Sequence, residues 1–253
     1  MGIGTHLGII SQAGASSFTN TYSFDFDGTD DYISINDADN LSFGNGTTDS
    51  PFSISTWWKM DNSNGFRGVE KYSTSYEYRI NTIGSSGILK CQLYDNSNTV
   101  YIGQQSNVGL SSYVGQWIHV TMTYNGSSLS SGIKLYLNGS LLASTDDSNG
   151  SYTAMHNTTS VFRLGHLSGN YADGNIDETA VFNSELSASD ITTIYNSGVP
   201  NDISSFNPIS WWRMGEEATY AGGEWTLVDQ GSGGNNGSSL TLPPEALSTD
   251  VPT

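Results

Sequence analysis

The stretch FDFDGTDDYISI, residues 24–35, decides the fold class. Phe24 and Phe26 alternate with aspartates, and Tyr32, Ile33 and Ile35 follow the polar group Asp27-Gly28-Thr29-Asp30-Asp31. Successive side chains of a strand point to opposite faces, so an apolar period of two reads as a half-buried strand. A cluster of Asp, Gly and Thr reads as a turn. The stretch therefore predicts two strand segments about a tight acidic loop.

The same pattern recurs along the chain. Short apolar or alternating runs cover 52–60, 76–80, 88–94, 100–103, 117–124, 133–142, 161–164 and 175–182. Gly, Asn, Ser and Asp clusters such as Asp61-Asn62-Ser63-Asn64-Gly65 separate them. Many short strands without intervening helices predict a sandwich or barrel. One helix is expected over Ser187 to Tyr195, with Ser187 and Asp190 as a capping box, Ile191, Ile194 and Tyr195 on one apolar face, and Gly198 closing the end. Trp57 and Trp58 are neighbours in a strand, so one faces the core and the other needs a cover.

Composition agrees. The chain has 253 residues, 29 Gly, 14 Tyr and 6 Trp, with 13% charged residues, which is a strand-and-turn inventory. One principal domain of this length buries a self-sufficient core. With 25 acidic against 8 basic side chains, the formal charge of −17 repels phosphate backbones and anionic membranes. The expectation is no nucleic acid and no membrane partner; no transmembrane span is seen. Cys91 stands alone in an alternating run and reads as a small buried hydrophobe. The opening residues lack the basic and long apolar regions of a secretion signal.

Five segments together resemble the laminin-G-like jelly rolls of the concanavalin A-like lectin/glucanase superfamily: FDFDGTDDYISI (24–35), FSISTWWKM (52–60), GQWIHVTMTYNG (115–126), IKLYLNGSLLAS (133–144) and the run 162–195. The resemblance implies an all-β, two-sheet antiparallel jelly-roll sandwich with one short helix. Members of this family open with a strand and loop that are missing before residue 22. ISWWRMGEE (209–217) and LVDQGSGGNNGSSLTL (227–242) resemble that opening, displaced to the C-terminus. The expected organisation is an N-terminal docking leader over 1–20, the jelly roll over 21–200, and a segment over 201–253. That last segment is permuted or exchanged, completing the sandwich in its own chain or in a neighbouring subunit. Exchange favours a homo-oligomer. An independent tail or the start of another domain is the other reading.

Catalysis finds little support in the residues. Glycanases on this fold use carboxylates spaced along one strand as E-x-D-x-x-E or E-x-D-x-E, and no such run occurs. Asp177 and Glu178 are the nearest acidic pair, but adjacent strand residues are expected on opposite faces. The four histidines lack metal-ligand spacing, and no G-x-S-x-G elbow is present. The chain is expected not to be an enzyme.

The resemblance does imply a structural Ca2+, with Asp177, Asp229 and Asn235 as candidates and Asp27 or Asp30 behind them. Each is also readable as an Asx-turn residue bonding its own backbone. Glycan binding needs aromatic faces for sugar rings, and Tyr72, Tyr76, Tyr94, Tyr152 and Tyr171 are the candidates, together with Tyr78 and Tyr101. For each, core or rim packing is the competing reading. Ile3, Leu7, Ile9 and Ile10 are the apolar residues with which the leader would dock on a particle.

The leader GIGTHLGIISQAG (2–14), the laminin-G-like body and the tail WWRMGE…DQGSGGNNG (211–237) together also resemble structural proteins of marine bacteriophages. That resemblance implies a non-enzymatic virion surface protein: a capsid decoration, fibre component or tail adhesin, with other virion proteins and host-surface glycans as partners. A carbohydrate-binding module or adhesin of an extracellular bacterial protein is the alternative, and a divergent glycanase the third.

Overall fold

A computed structural model describes residues 18–95 and 97–253. The leader residues Ile3, Leu7, Ile9 and Ile10 lie outside the described residues.

Two antiparallel sheets form a jelly-roll sandwich. The first sheet runs, in spatial order, through Ser140–Leu141, Ile133–Leu137, Trp117–Tyr124, Phe52–Met60, Asp173–Phe182, Ser23–Asp27 and Leu247–Ser248, with Ser210–Trp212 also paired to Asp173–Phe182. The second runs through Ser144–Asp146, Tyr101–Gly109, Ile88–Tyr94, Tyr76–Ile83, Arg67–Tyr72, Phe162–Leu164, Ile33–Ile35, Gly237–Ser239, Glu224–Leu227 and Thr219–Ala221. A small hairpin, His166–Leu167 with Asn170–Tyr171, flanks it.

The apolar interior lies between the sheets. Phe24, Phe26, Ile33 and Ile35 from the opening stretch are all buried there, as the alternation requires. Phe43 stacks on Phe52 with centroids 4.2 Å apart, and the buried Tyr78 donates its hydroxyl to the Leu41 carbonyl at 2.7 Å. Trp58 faces this core. Trp57 faces the other way and lies under Tyr195 of the helix Ala188–Tyr195, 5.8 Å between centroids. Ser187 caps that helix with the expected capping box. The helix ends at Tyr195 as expected, but its C-terminus is closed by Asn196 in the left-handed conformation at φ 45°, where Gly198 was expected, because Asn adopts that backbone at tolerable cost. Cys91 is wholly buried and its thiol is pushed up by desolvation.

The C-terminal segment contributes strands to both sheets of its own chain: Trp211 pairs with Ala180, Gly237 with Ile35, and Leu247 with Phe24. Trp212 is fully buried in the core, 5.2 Å from Phe162, and its Nε1 donates to the Asn235 carbonyl at 2.7 Å. Trp211 lies on the opposite side, in a second apolar cluster with Ile194, Ile203 and Phe182.

Two expected elements differ. The run 133–142 is broken into a hairpin by Asn138 and Gly139, both at positive φ, the backbone that a two-residue turn demands. A strand at Arg67–Tyr72 was not expected, because buried Glu70 and Lys71 mask its alternation. Lys71 is held in the interior by Glu77 (2.9 Å), Asp37 (2.8 Å) and the Ser160 carbonyl (2.9 Å). Charge burial is tolerated only when it is paired and hydrogen-bonded in this way.

Candidate glycan-binding face

Strand register sets the outer face of the second sheet. Arg163 pairs with Glu70, Glu70 with Arg79, Arg79 with Gln92, and Gln92 with Gly103, so these residues form one row across five strands on the side away from the core. Beside the row lies a tract of tyrosines. Tyr72 stacks on Tyr76 (4.0 Å, 20°), Tyr76 on Tyr94 (4.8 Å, 28°), and Tyr94 packs against Tyr101 (5.0 Å). The Arg79 guanidinium lies 5.2 Å from the Tyr76 centroid and 5.3 Å from that of Tyr94. Its Nε donates to Gln92 Oε1 at 2.7 Å, and Gln92 Nε2 donates to Asp147 Oδ2 at the same distance. Tyr72, Tyr76 and Tyr101 remain partly exposed, whereas Tyr94 is buried beneath them. Burial is what raises the hydroxyl pKa of Tyr76, and of Tyr94 still further. Tyr76 and Tyr94 therefore stay neutral and act as donors, acceptors and ring faces.

At the sheet's far side Tyr32, His166 and Tyr171 pack together, with Tyr32 and Tyr171 centroids 6.4 Å apart. His166 Nδ1 contacts the buried Glu70 carboxylate. A groove of about 250 Å³ adjoins them, lined by Arg67, Tyr171, Asn64, Asn170 and neighbouring backbone. Arg67 reaches over Gly65, where a side chain would come within 2.8 Å of its guanidinium.

Of the sequence candidates, Tyr72, Tyr76 and Tyr94 come together, Tyr101 joins them, and Tyr171 borders the adjoining groove. Tyr78 belongs to the core. Tyr152 is held apart from the tract, its hydroxyl donating to Asp49 at 2.9 Å. Arg79, Arg67, Arg163 and Gln92 were not singled out from the sequence; no motif marks them, and only register places them beside the tyrosines.

The metal candidates separate. Asp229 accepts backbone N–H groups of Trp211 and Gly231 at 2.8 Å and of Asn235 at 2.7 Å, fixing the 229–235 loop. Asn235 donates its side-chain amide to Asn40 and Ser210. Asp177 is buried elsewhere and accepts from the Asn20 amide at 2.8 Å. Among the described residues, the carboxylates that converge are those of Asp27, Asp30 and Asp31, within 4.8 Å of one another. Asp27 Oδ1 accepts from Thr29 N at 2.7 Å, the Asx-turn geometry. Burial and the charges of Asp27 and Asp30 push the Asp31 carboxyl up to about 6. Hard oxygen donors crowded in this way fit a divalent cation such as Ca2+.

Asp177 and Glu178 do not lie on opposite faces, contrary to the expectation for strand neighbours. The register slips between Asp177 and Ala180, and Glu178 takes φ 44°, so a bulge turns both carboxyl groups into one buried pocket. Glu178 accepts from Trp211 Nε1 (2.5 Å) and Arg213 Nε (3.0 Å). Burial raises both carboxyls, Asp177 well above its ordinary value and Glu178 to about 7. Phe18 stacks over Trp211, and the Arg213 guanidinium lies 4.2 Å from the Phe18 centroid, so the pair is enclosed.

A laminin G profile of the concanavalin A-like lectin/glucanases superfamily matches residues 27–192. The chain belongs to that superfamily. Among solved structures, this superfamily member is similar to a Bacteroides ovatus protein to which carbohydrate binding has been ascribed, with TM-score 0.61 and 17% identity over 93% of this chain and 62% of that one. It is also similar to the binding domain of botulinum neurotoxin serotype D, with TM-score 0.52 and 21% identity over 72% of this chain and 43% of that one. The chain thus spans under two thirds of either structure, and identities this low speak to fold alone. Comparison with curated proteins gave no match.

Proposed function

We propose that this chain is a non-enzymatic glycan-binding module whose recognition surface is the outer face of the ten-stranded sheet. The observation that carries the reading is the tract of Tyr72, Tyr76, Tyr94 and Tyr101, locked ring on ring and flanked by Arg79 and Gln92. Rings fixed by stacking on one another lose little entropy when a pyranose packs against the surface that Tyr72, Tyr76 and Tyr101 leave exposed, and adjacent fixed amide and guanidinium groups orient its hydroxyls. The carbohydrate binding ascribed to the Bacteroides ovatus protein, which shares the fold, supports the same reading.

A non-catalytic role is supported by the position of the acidic pair nearest to a glycanase arrangement. Both are buried, Glu178 engaged by Trp211 and Arg213 and Asp177 by Asn20, which keeps them from flanking a glycosidic bond. Incubation with laminarin and agar, followed by a reducing-sugar assay, checks this; turnover above a blank contradicts it.

The place of action proposed is the surface of a bacteriophage particle, as decoration, fibre component or adhesin, and it rests on the resemblance of the leader and tail to phage structural proteins. An extracellular bacterial module has the same site chemistry. Co-purification with virions supports the phage placement; recovery of the protein solely from bacterial culture medium contradicts it. Ca2+, where bound, is assigned to Asp27, Asp30 and Asp31.

The direct test of glycan binding is a screen on immobilised polysaccharides with the wild type and Tyr76→Ala. Retention of the wild type and its loss in a folded variant supports the reading. Equal retention of both moves the site elsewhere.

A further inference from the structure

We infer that the glycans held on this face are anionic, bearing carboxylate or sulfate groups. The inference rests on the glycan-binding reading and narrows its ligand.

The distribution of charge carries it. The chain has 8 Lys and Arg against 25 acidic residues. Four of those cations, Arg67, Arg79, Lys90 and Arg163, lie by register on the outer face of adjacent strands. Two acidic groups answer them there. Asp147 sits 2.8 Å from Lys90, and Glu70, with no exposed surface, lies 3.4 Å from Arg163 and also contacts His166. Arg67 and Arg79 have no carboxylate partner among the described residues. A chain that is strongly acidic as a whole thus places two guanidiniums without a carboxylate contact on the face of the Tyr72–Tyr76–Tyr94 stack, with the buried Glu70 opposite Arg79 as the nearest acid.

These two guanidiniums are also close enough to oppose each other. Burial first, and then the charge of Arg79, makes Arg67 easier to deprotonate than an ordinary arginine, with the Glu70 carboxylate offsetting part of the effect. Arg67 Nε is buried with no hydrogen-bond partner. A buried donor left unpaired and facing a like charge is a standing cost that an anion removes. The planar fork of arginine matches carboxylate or sulfate oxygens in pairs. Arg79 is oriented for this by Gln92 and two ring faces, and Arg67 opens on the groove beside Tyr171, Asn64 and Asn170. Stacking rings beside cations could also serve single-stranded nucleic acid. The net charge of −17 disfavours a long phosphate backbone, so the sugar polymer is the ligand argued for.

Affinity electrophoresis tests this with gels containing polygalacturonate (carboxylate), carrageenan (sulfate ester) or neutral laminarin. The expected result is retention by at least one polyanion over laminarin, weakened about tenfold or more between about 50 and 500 mM salt, with the retaining gel identifying the anionic group. Arg67→Gln, which has no bond at Nε to lose, should melt with the wild type yet bind the polyanion about tenfold more weakly, with Arg67→Lys in between. Equal or stronger retention by laminarin, or no response to salt, overturns the inference and leaves the glycan reading standing. Retention by no polysaccharide overturns both. Preferential binding of a single-stranded oligonucleotide in the same assay also overturns it.

Discussion

Replacing Trp212 with alanine asks whether the C-terminal segment is part of the fold's core. The side chain is fully buried, packs on Phe162, and pairs through its backbone with Thr179 in the central strand Asp173–Phe182. Truncating a core Trp to Ala costs about 3–5 kcal/mol. The change also leaves the Asn235 carbonyl without its donor, which adds roughly 1 kcal/mol or more. The sum, about 4–6 kcal/mol, is comparable to the whole stability of many domains, about 5–15 kcal/mol. For a chain of this size each kcal/mol moves the melting point by about 2–4 °C, so the variant should melt at least about 8 °C below the wild type. In urea its midpoint should fall at an unchanged slope. Trp212→Phe keeps a ring and loses the donor, and should fall between the two. Leu240→Ala, at a side chain 75% exposed, is the control and should match the wild type. A Trp212→Ala protein melting within about 2 °C of the wild type would refute the argument, because then residues 209–248 do not close this core.

The remaining predictions concern packing and pH. Gly68→Ala should cost about 1–3 kcal/mol by overpacking, because its Cβ would come within 1.9 Å of Trp58 Cζ2; a melting curve checks it. The raised Glu178 and Asp177 carboxyls mean that the folded state binds protons that the unfolded chain releases. The Glu178 contribution is fully present below the unfolded carboxylate range, near pH 4, and is lost as pH rises through about 7. Glu178→Gln should flatten the decline in stability over that window, as measured by urea denaturation at a series of pH values. An unchanged slope would show that Glu178 keeps an ordinary pKa.

The sandwich was legible wherever a strand buries one face and wets the other. The alternations at 24–35, 52–60 and 117–124 translate directly into register. It was illegible where charge is buried. Glu70 and Lys71 look like solvent residues in the sequence, yet each is enclosed by partners from distant strands. The Asp177–Glu178 bulge was hidden for a related reason, since a single positive φ moves a carboxyl to the other face and leaves the residue pattern intact. At the site, the sequence supplied tyrosines without their register. Tyr72, Tyr76, Tyr94 and Tyr101 meet because three hairpin connections bring four strands into line, while Tyr152, equally plausible as a candidate, is tied to Asp49. The net charge was misleading locally, because strand register gathers Arg67, Arg79, Lys90 and Arg163 on one face of the second sheet, and only Lys90 and Arg163 have carboxylate partners there.

Whether sugar rings bind on the outer tyrosine face is decided by a crystal structure of the protein soaked with the oligosaccharide of the best-retained polymer. Density is expected for a pyranose against Tyr72 and Tyr76 with polar contacts to Arg79. An occupied sugar on the first sheet or at the helix end, with the tyrosine face empty, would contradict it.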